Sequence, residues 1–128
     1  MSTREKIAVT LMLIATVGTV LGVLSAEKFR RSRLFTTELI AREPNHGNWY
    51  PRTITVKRGQ PVRLLIRNID TVTHGFALPD FAVGAKEIKA GHVETITFTP
   101  DKVGQFPFFC TVWCSPRHEE MRGVLVVE

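Results

Sequence analysis

The sequence predicts an all-β domain, a β-sandwich or barrel, that follows one N-terminal transmembrane helix. Two observations predict this class. Residues 7–26 form a single apolar run without any charge. After residue 50, short runs of alternating apolar and polar residues are separated by glycine, proline and aspartate, a pattern typical of proteins built from many short strands.

The apolar run "IAVTLMLIATVGTVLGVLSA" predicts a membrane anchor, because twenty helical residues span about 30 Å, the thickness of a bilayer core. The alternative is a cleaved signal peptide. Arg4 and Lys6 would form its basic start, and Val23 and Ser25 are small residues at plausible cleavage positions. The run is long for a signal peptide, so we favour the anchor. Both interpretations export the rest of the chain.

The net charge of +5 is concentrated beside the apolar run, at Lys28, Arg30, Arg31 and Arg33. From residue 34 onward, 11 Lys and Arg balance 10 Asp and Glu. We therefore expect the basic cluster to contact lipid headgroups, and we expect no nucleic-acid binding. The positive-inside rule would place this cluster in the cytoplasm, which conflicts with export. We expect export nevertheless, because the site chemistry described below belongs outside the cell.

The strand-like runs define the domain organisation. We expect an anchor or signal peptide over residues 1–26, a juxtamembrane linker over 27–45 and a β domain over 46–128. The predicted strands are listed here in chain order: 53–57, 62–68, 92–99, 105–111 and 123–128.

Metal-binding residue types are concentrated in the stretch "FFCTVWCSPRHEEM". Cys110, Cys114 and His118 are spaced by four, Met121 follows three residues later, and His74 lies upstream in "THGF". Two imidazoles, one thiolate and a weak thioether are the ligands of a blue-copper electron-transfer site. Cys110 is then an extra thiol, which is a bystander, a disulfide partner or a ligand that bridges two metal ions.

Three other interpretations of these residues remain open. The two cysteines of an exported domain often form a disulfide, although the histidine and methionine spacing would then be coincidence. A tetrahedral zinc site would use Cys110, Cys114, His118 and His74 but would leave Met121 without a role. His74 taken alone would be an ordinary core histidine.

The pattern C-x3-C-x3-H-x2-M with an upstream His in "THGF" resembles the dinuclear CuA site. That site occurs in subunit II of cytochrome c oxidases and in the C-terminal domain of nitrous-oxide reductases. The resemblance covers residues 50–128 and includes "HGFALPDF" and "MRGVLVVE". It implies a cupredoxin-like Greek-key β-sandwich or barrel of the one-anchor type that binds two copper ions.

The resemblance also implies which residues hold the two copper ions. Both cysteines would bridge the ions, one ion would take His74 and Met121, and the other would take His118. A backbone carbonyl would be the remaining weak ligand. The implied set is His74, Cys110, Val112, Cys114, His118 and Met121.

The sequence departs from the family pattern at several positions. Val112 stands where oxidase sequences usually have a glutamate that helps hold magnesium, so we predict no magnesium site. Ser115 and Pro116 follow the second cysteine, where glycine is common. Many oxidase subunits II have two membrane helices, and nothing in this chain resembles the large catalytic domain of nitrous-oxide reductase.

The resemblance implies a membrane-anchored electron-transfer module that performs no substrate chemistry itself. It would accept electrons from a soluble donor, such as cytochrome c or a blue-copper protein, and pass them to the heme-copper catalytic subunit of a terminal oxidase. Trp113 would either contact the donor or shield the metal from water. The alternatives are a copper carrier or sensor, which three methionines do not favour, and a CuA domain that serves a nitrous-oxide-reductase-like or other reductase.

Overall fold

The structure is a computed structural model that describes the backbone of residues 1–128 and all side chains except those of Arg31 and Ser32. The chain divides into two compact units, Met1–Arg33 and Leu34–Glu128. The described backbone forms one α-helix and eight strands: α1 Thr3–Ser32, β1 Phe35–Ala41, β2 Thr53–Val56, β3 Val62–Asn68, β4 His74–Leu78, β5 Val83–Ile88, β6 Val93–Phe98, β7 Gly104–Phe109 and β8 Arg122–Val127.

The first unit is the helix α1, which contains the apolar run. Ser2 caps its start, because the Ser2 hydroxyl accepts the Glu5 N–H at 3.4 Å while the Glu5 carboxylate accepts the Ser2 N–H at 2.5 Å. Threonine hydroxyls in the apolar run donate to the carbonyl four residues earlier at 2.8 Å; these are Thr10, Thr16 and Thr19. These polar groups are thus satisfied inside the helix. By length and composition, residues 3–30 suffice to cross a membrane.

The second unit is built from two sheets. The first has three strands in the order β1-β3-β6, with β1 parallel and β6 antiparallel to β3. The second has five strands in the order β2-β8-β7-β4-β5, and only the β2–β8 pair is parallel. The predicted all-β class is confirmed.

One core joins the two sheets into a sandwich. Buried side chains of both sheets face it, among them Leu39 and Ile66 of the first sheet and Phe76, Phe108 and Leu125 of the second. Each of these side chains is at most 3% exposed. Burial of one such side chain contributes about 1.5–3 kcal/mol to folding.

A glycine sets the closest approach in the second sheet. Gly123 of β8 pairs with Phe108 of β7, and a β-carbon at position 123 would lie 2.2 Å from the Phe108 ring and 2.7 Å from the Arg52 carbonyl oxygen. Only a hydrogen atom fits there, which allows the Phe108 ring to lie across the strand.

The structure differs from the sequence expectation between residues 27 and 45. The predicted linker contains the end of α1 and the whole of β1. β1 forms because Leu39 and Ala41 alternate into the core while the strand pairs with β3 over seven residues. Two further strands, β4 and β5, were not predicted.

Candidate metal centre

His74 lies at the end of the sandwich where β7 leads into the loop of residues 110–121. It is the first residue of β4, and β4 runs antiparallel to β7 with Ala77 opposite Phe109. This register places Gly75 against the first loop residues. A β-carbon on Gly75 would lie only 2.1 Å from the Thr111 hydroxyl oxygen. The absence of a side chain at position 75 therefore lets the strand that carries His74 contact the loop that carries the cysteines.

His74 and Cys110 form one half of the site. The Nδ1 atom of His74 lies 3.8 Å from the Sγ atom of Cys110. The same sulfur accepts the Gly75 N–H at 3.4 Å and lies 3.2 Å from the Val112 carbonyl oxygen. His74 is fully buried and Cys110 is 4% exposed. The His74 nitrogen and the Cys110 sulfur thus meet away from water, with the Val112 carbonyl oxygen beside the sulfur.

Asp70 holds the opposite nitrogen of the His74 ring. Its Oδ2 atom lies 2.9 Å from His74 Nε2 and also accepts the Glu43 N–H at 2.6 Å. The Asp70 N–H in turn donates to the Asn68 side chain at 2.9 Å. Because Nε2 is engaged, Nδ1 is the nitrogen that faces the sulfur. A carboxylate in this role orients a histidine ligand and increases its basicity.

Cys114, His118 and Met121 form the other half. His118 Nδ1 lies 3.6 Å from Cys114 Sγ, and Met121 Sδ lies 3.7 Å from the same sulfur. Cys114 is 6% exposed and Met121 is fully buried, whereas His118 is partly exposed and begins a short 3-10 turn. The donor atoms of His74, Cys110 and Cys114 lie within 4.8 Å of one another, so the two thiols join the halves.

The electrostatics differ between the two thiols. Burial raises the pKa of Cys110, but hydrogen bonding to His74 and to backbone N–H groups outweighs it, and the pKa is lowered overall. Burial lowers the pKa of His74, but Cys110 and Asp70 raise it above its usual value. Burial and the neighbouring Cys110 raise the pKa of Cys114 to about 12. Ligation by both sulfurs therefore requires Cys114 to release a proton, which makes metal uptake dependent on pH.

The donor set fits copper. Both cysteines are free thiols, and soft sulfur combined with imidazole is the ligand type that copper sites use. Four donors of a single zinc ion, each at about 2.0–2.3 Å, would crowd around one point. Here His74 lies beside one sulfur and His118 beside the other, and His118 is outside the group of three mutually close donors. The arrangement is two-sided.

Three residues that hold the donor residues or their neighbours in place were not predicted from the sequence: Asp70, Asn48 and Trp49. The Trp49 indole N–H donates to the Met121 carbonyl at 3.1 Å, and the Asn48 amide donates to the Glu120 carbonyl at 2.8 Å. Both partners are 72 positions away in the chain, so local spacing gives no signal for them.

The other residues near the site divide into an exposed group and a buried group. Trp113, between the cysteines, is 72% exposed. His46 and His92 are also exposed. Phe76 and Phe108 are buried in the core, and Trp49 packs edge-on against both rings with centroids 5.8 and 5.9 Å away.

Residues 13–127 match the model of the family described as Cupredoxin-like domain. The chain belongs to this family. The predicted cupredoxin-like fold is therefore confirmed. The cupredoxin is 33% identical over 103 residues to nitrous-oxide reductase of Cupriavidus necator, an alignment that covers 78% of this chain and 15% of the reductase. The chain thus spans only a small part of the nitrous-oxide reductases that it matches.

Two further comparisons concern oxidases. The cupredoxin is 28% identical over 80 residues to cytochrome c oxidase subunit 2 of Thermus thermophilus, which covers 62% of this chain and 58% of that subunit. Its fold is similar to the periplasmic domain of subunit II of cytochrome oxidase of Bradyrhizobium japonicum, with a TM-score of 0.59, 22% identity and coverage of 73% of this chain and 83% of that one.

The fold, the grouped His and Cys donors and these relationships agree. The chain is a cupredoxin of the copper-binding, electron-transfer type, related to both oxidase subunit II and nitrous-oxide reductase. An N-terminal helix of membrane-spanning length precedes the copper domain.

Proposed function

We propose that this cupredoxin is a membrane-anchored electron-transfer module with a dinuclear CuA centre. The observation that carries the proposal is the two-sided arrangement, in which each imidazole lies beside a different buried thiol. The proposed ligands are the set implied by the sequence: His74, Cys110, Val112, Cys114, His118 and Met121. The proposed anchor is α1, and the proposed copper domain is the unit Leu34–Glu128.

A mononuclear site needs only one of the two thiols. A second free thiol that is buried, close to the first and beside its own histidine favours two ions, because a thiolate has lone pairs for both. When bound, copper supplies a one-electron couple between its two oxidation states. In the implied set, the Met121 thioether would be the weak donor of the ion that takes His74, and the Val112 carbonyl that of the ion that takes His118. These two atoms lie 3.7 Å from Cys114 Sγ and 3.2 Å from Cys110 Sγ.

The protein's own contribution is rigidity and exclusion of water. Asp70 fixes the His74 ring, and the rings of Trp49, Phe76 and Phe108 fill the space behind it. Close-packed side chains of this kind move little. Donors that cannot move keep the rearrangement between oxidation states small, which favours fast electron transfer.

The surface beside the site provides the proposed docking contact for the electron donor. Trp113 lies between the two cysteines in sequence and is largely exposed. From residue 34 onward the charges nearly cancel, with 11 Lys and Arg against 10 Asp and Glu. Strong charge steering is therefore not expected, and an apolar contact at Trp113 suits a small soluble donor such as cytochrome c or a blue-copper protein.

The similarity to oxidase subunits supports a heme-copper oxidase catalytic subunit as the electron acceptor, with the copper domain on the exported side of the cell membrane. A second candidate acceptor is a separate reductase, because the chain is 33% identical to a nitrous-oxide reductase and 28% identical to the oxidase subunit. The rate at which the reduced, copper-loaded protein transfers electrons to each acceptor distinguishes the two.

The number of bound copper ions tests the centre itself. Full-length protein in detergent is loaded with copper, and its metal content and electron paramagnetic resonance spectrum are measured. We expect two ions per chain and hyperfine splitting from two equivalent nuclei. Cys110→Ser should reduce this to one ion, while the matched control His92→Gln, at an exposed histidine outside the ligand set, should not.

One copper ion per wild-type chain, or an unchanged spectrum in Cys110→Ser, would overturn the dinuclear proposal. Resistance of the bound copper to a strong chelator separates an electron-transfer site from the copper carrier, which must release its metal readily. Trp113→Ala should slow reduction by the soluble donor several-fold without changing the copper content. An unaffected rate would remove Trp113 from the docking contact.

A further inference from the structure

Trp49 contacts both halves of the site although it lies outside the ligand motif. It is fully buried, and its indole N–H donates to the Met121 carbonyl oxygen at 3.1 Å. Its ring centroid lies 6.5 Å from that of the His74 ring. The rings of Phe76 and Phe108 pack edge-on against the indole. The indole therefore has one fixed position and one polar contact.

Asn48 extends this contact by one residue. Its side-chain amide donates to the Glu120 carbonyl oxygen at 2.8 Å, and its side-chain oxygen accepts the backbone N–H of Trp49 at 2.7 Å. Asn48 is 7% exposed and has a φ of 65°. Asparagine is one of the few residues that adopt this left-handed conformation readily, so the sequence suits the geometry.

The other side of the same carbonyl is also fixed. The Met121 carbonyl oxygen accepts the Cys110 N–H at 3.1 Å, and the Met121 N–H donates to the His118 carbonyl oxygen at 3.0 Å. The Met121 backbone is thus held by Cys110 at the start of the loop, by His118 and by the Asn48–Trp49 pair. Its thioether reaches to 3.7 Å from Cys114 Sγ.

We propose that Asn48 and Trp49 are positioning residues that set the distance between the Met121 thioether and the metal. The proposal rests on the proposed copper function. A thioether would be a weak ligand that does not fix its own distance from a bound copper ion, so the protein scaffold would have to set that distance. The reduction potential of such a site depends on its axial ligand. Residues that hold the Met121 backbone should therefore tune that potential without touching the metal.

Trp49→Phe tests the proposal, because it retains one aromatic ring and removes the N–H donor together with the five-membered ring that carries it. Full-length protein in detergent is loaded with copper, and its midpoint potential and absorption spectrum are compared with those of the wild type. We expect the same copper content and a measurable shift in potential. Tyr50→Phe is the matched control, since Tyr50 is 62% exposed, and it should leave the potential unchanged.

A Met121→Leu background shows whether the effect passes through the thioether. If Trp49 acts by placing the Met121 side chain, then Trp49→Phe should shift the potential of the wild type but not that of Met121→Leu. An equal shift in both backgrounds, or none in the wild type, overturns the proposal.

Asn48→Gly gives an independent test and decides the matter if Trp49→Phe does not fold. Glycine accepts the left-handed backbone and removes the amide that holds the Glu120 carbonyl. It should also shift the potential only when Met121 is present. Failure of the underlying function is distinguishable, because it appears as a wild-type chain that binds one copper ion or none before any variant is compared.

Discussion

Asp70→Asn should weaken the metal-free domain by removing the charge that pairs with His74. The carboxylate is 10% exposed and accepts both the Glu43 N–H and the His74 Nε2 contact. The asparagine oxygen can still accept the Glu43 N–H. The 3.5 Å contact with the exposed His46 is weakened, and the charge-assisted hydrogen bond to His74 is lost. Such a bond contributes about 1.5–3 kcal/mol. In a domain of this size, a loss of about 2 kcal/mol lowers the Tm by roughly 8–16 °C.

The loss should depend on pH in a way that follows from the two pKa shifts. Burial raises the pKa of Asp70, but the Glu43 N–H and His74 lower it overall, so its contribution is present above the unfolded pKa of about 3.9 and fades as the pH falls through the folded pKa. The pKa of His74 is raised, so its contribution is complete below about pH 6.5 and fades as the pH rises through the folded pKa. The difference between wild type and variant should therefore be largest between about pH 4 and 6.5.

Urea unfolding of metal-free protein in detergent measures this difference at each pH. It is followed by tryptophan fluorescence, which changes when the buried Trp49 becomes exposed. Asp101→Asn, at an exposed turn, is the matched control and should change stability by less than about 0.5 kcal/mol. Copper affinity should fall about 10–100-fold in Asp70→Asn, as for other partners of histidine ligands. A stability difference that is absent, or constant from acidic to alkaline pH, would refute the role given to Asp70.

Three further outcomes are expected. Gly75→Ala should reduce copper content and destabilise the domain by about 1–3 kcal/mol, because its β-carbon would lie 2.1 Å from the Thr111 hydroxyl. Equilibrium dialysis measures the copper content and thermal unfolding measures the stability. Wild-type values of both would contradict the close approach. Gly123→Ala should cost a similar amount but leave the copper spectrum of the folded fraction unchanged, since the clash is with Phe108 in the core. In metal-free protein, thiolate absorbance should show one cysteine titrating below its usual pKa and the other only near pH 12, with the early step absent in Cys110→Ser; two equal steps would argue against the asymmetry.

Strands with clear alternation and clean turns could be predicted from the sequence. The predicted 62–68 coincides with β3, and the other four predicted strands overlap β2, β6, β7 and β8 with small errors at their ends. β5 was missed because only Ile88 of "VGAKEI" is buried, so apolar alternation is absent. β1 was missed because the charged Glu38 interrupts the apolar pattern, although Leu39 and Ala41 face the core. Pairing with β3, which is not local in sequence, makes β1 a strand.

The donor residues could be predicted because four of the five side chains lie within one loop, where spacing reflects geometry. The structure brings His74 to this loop through the β4–β7 pairing, which spacing alone does not show. The residues that hold the donors follow a different rule. Asn48 and Trp49 reach backbone carbonyls, and a carbonyl is present at every position, so no residue type on the partner side marks the contact.

The loop of residues 110–121 begins and ends on β7 and β8, which are hydrogen-bonded neighbours over six residue pairs. Its two ends are therefore held at one spacing whatever sequence lies between them. Surface loops on such a frame tolerate changes in length and composition. The choice of metal is consequently carried by a short exchangeable segment, and a loop with different donors could be transplanted onto the same sandwich without redesign of its core.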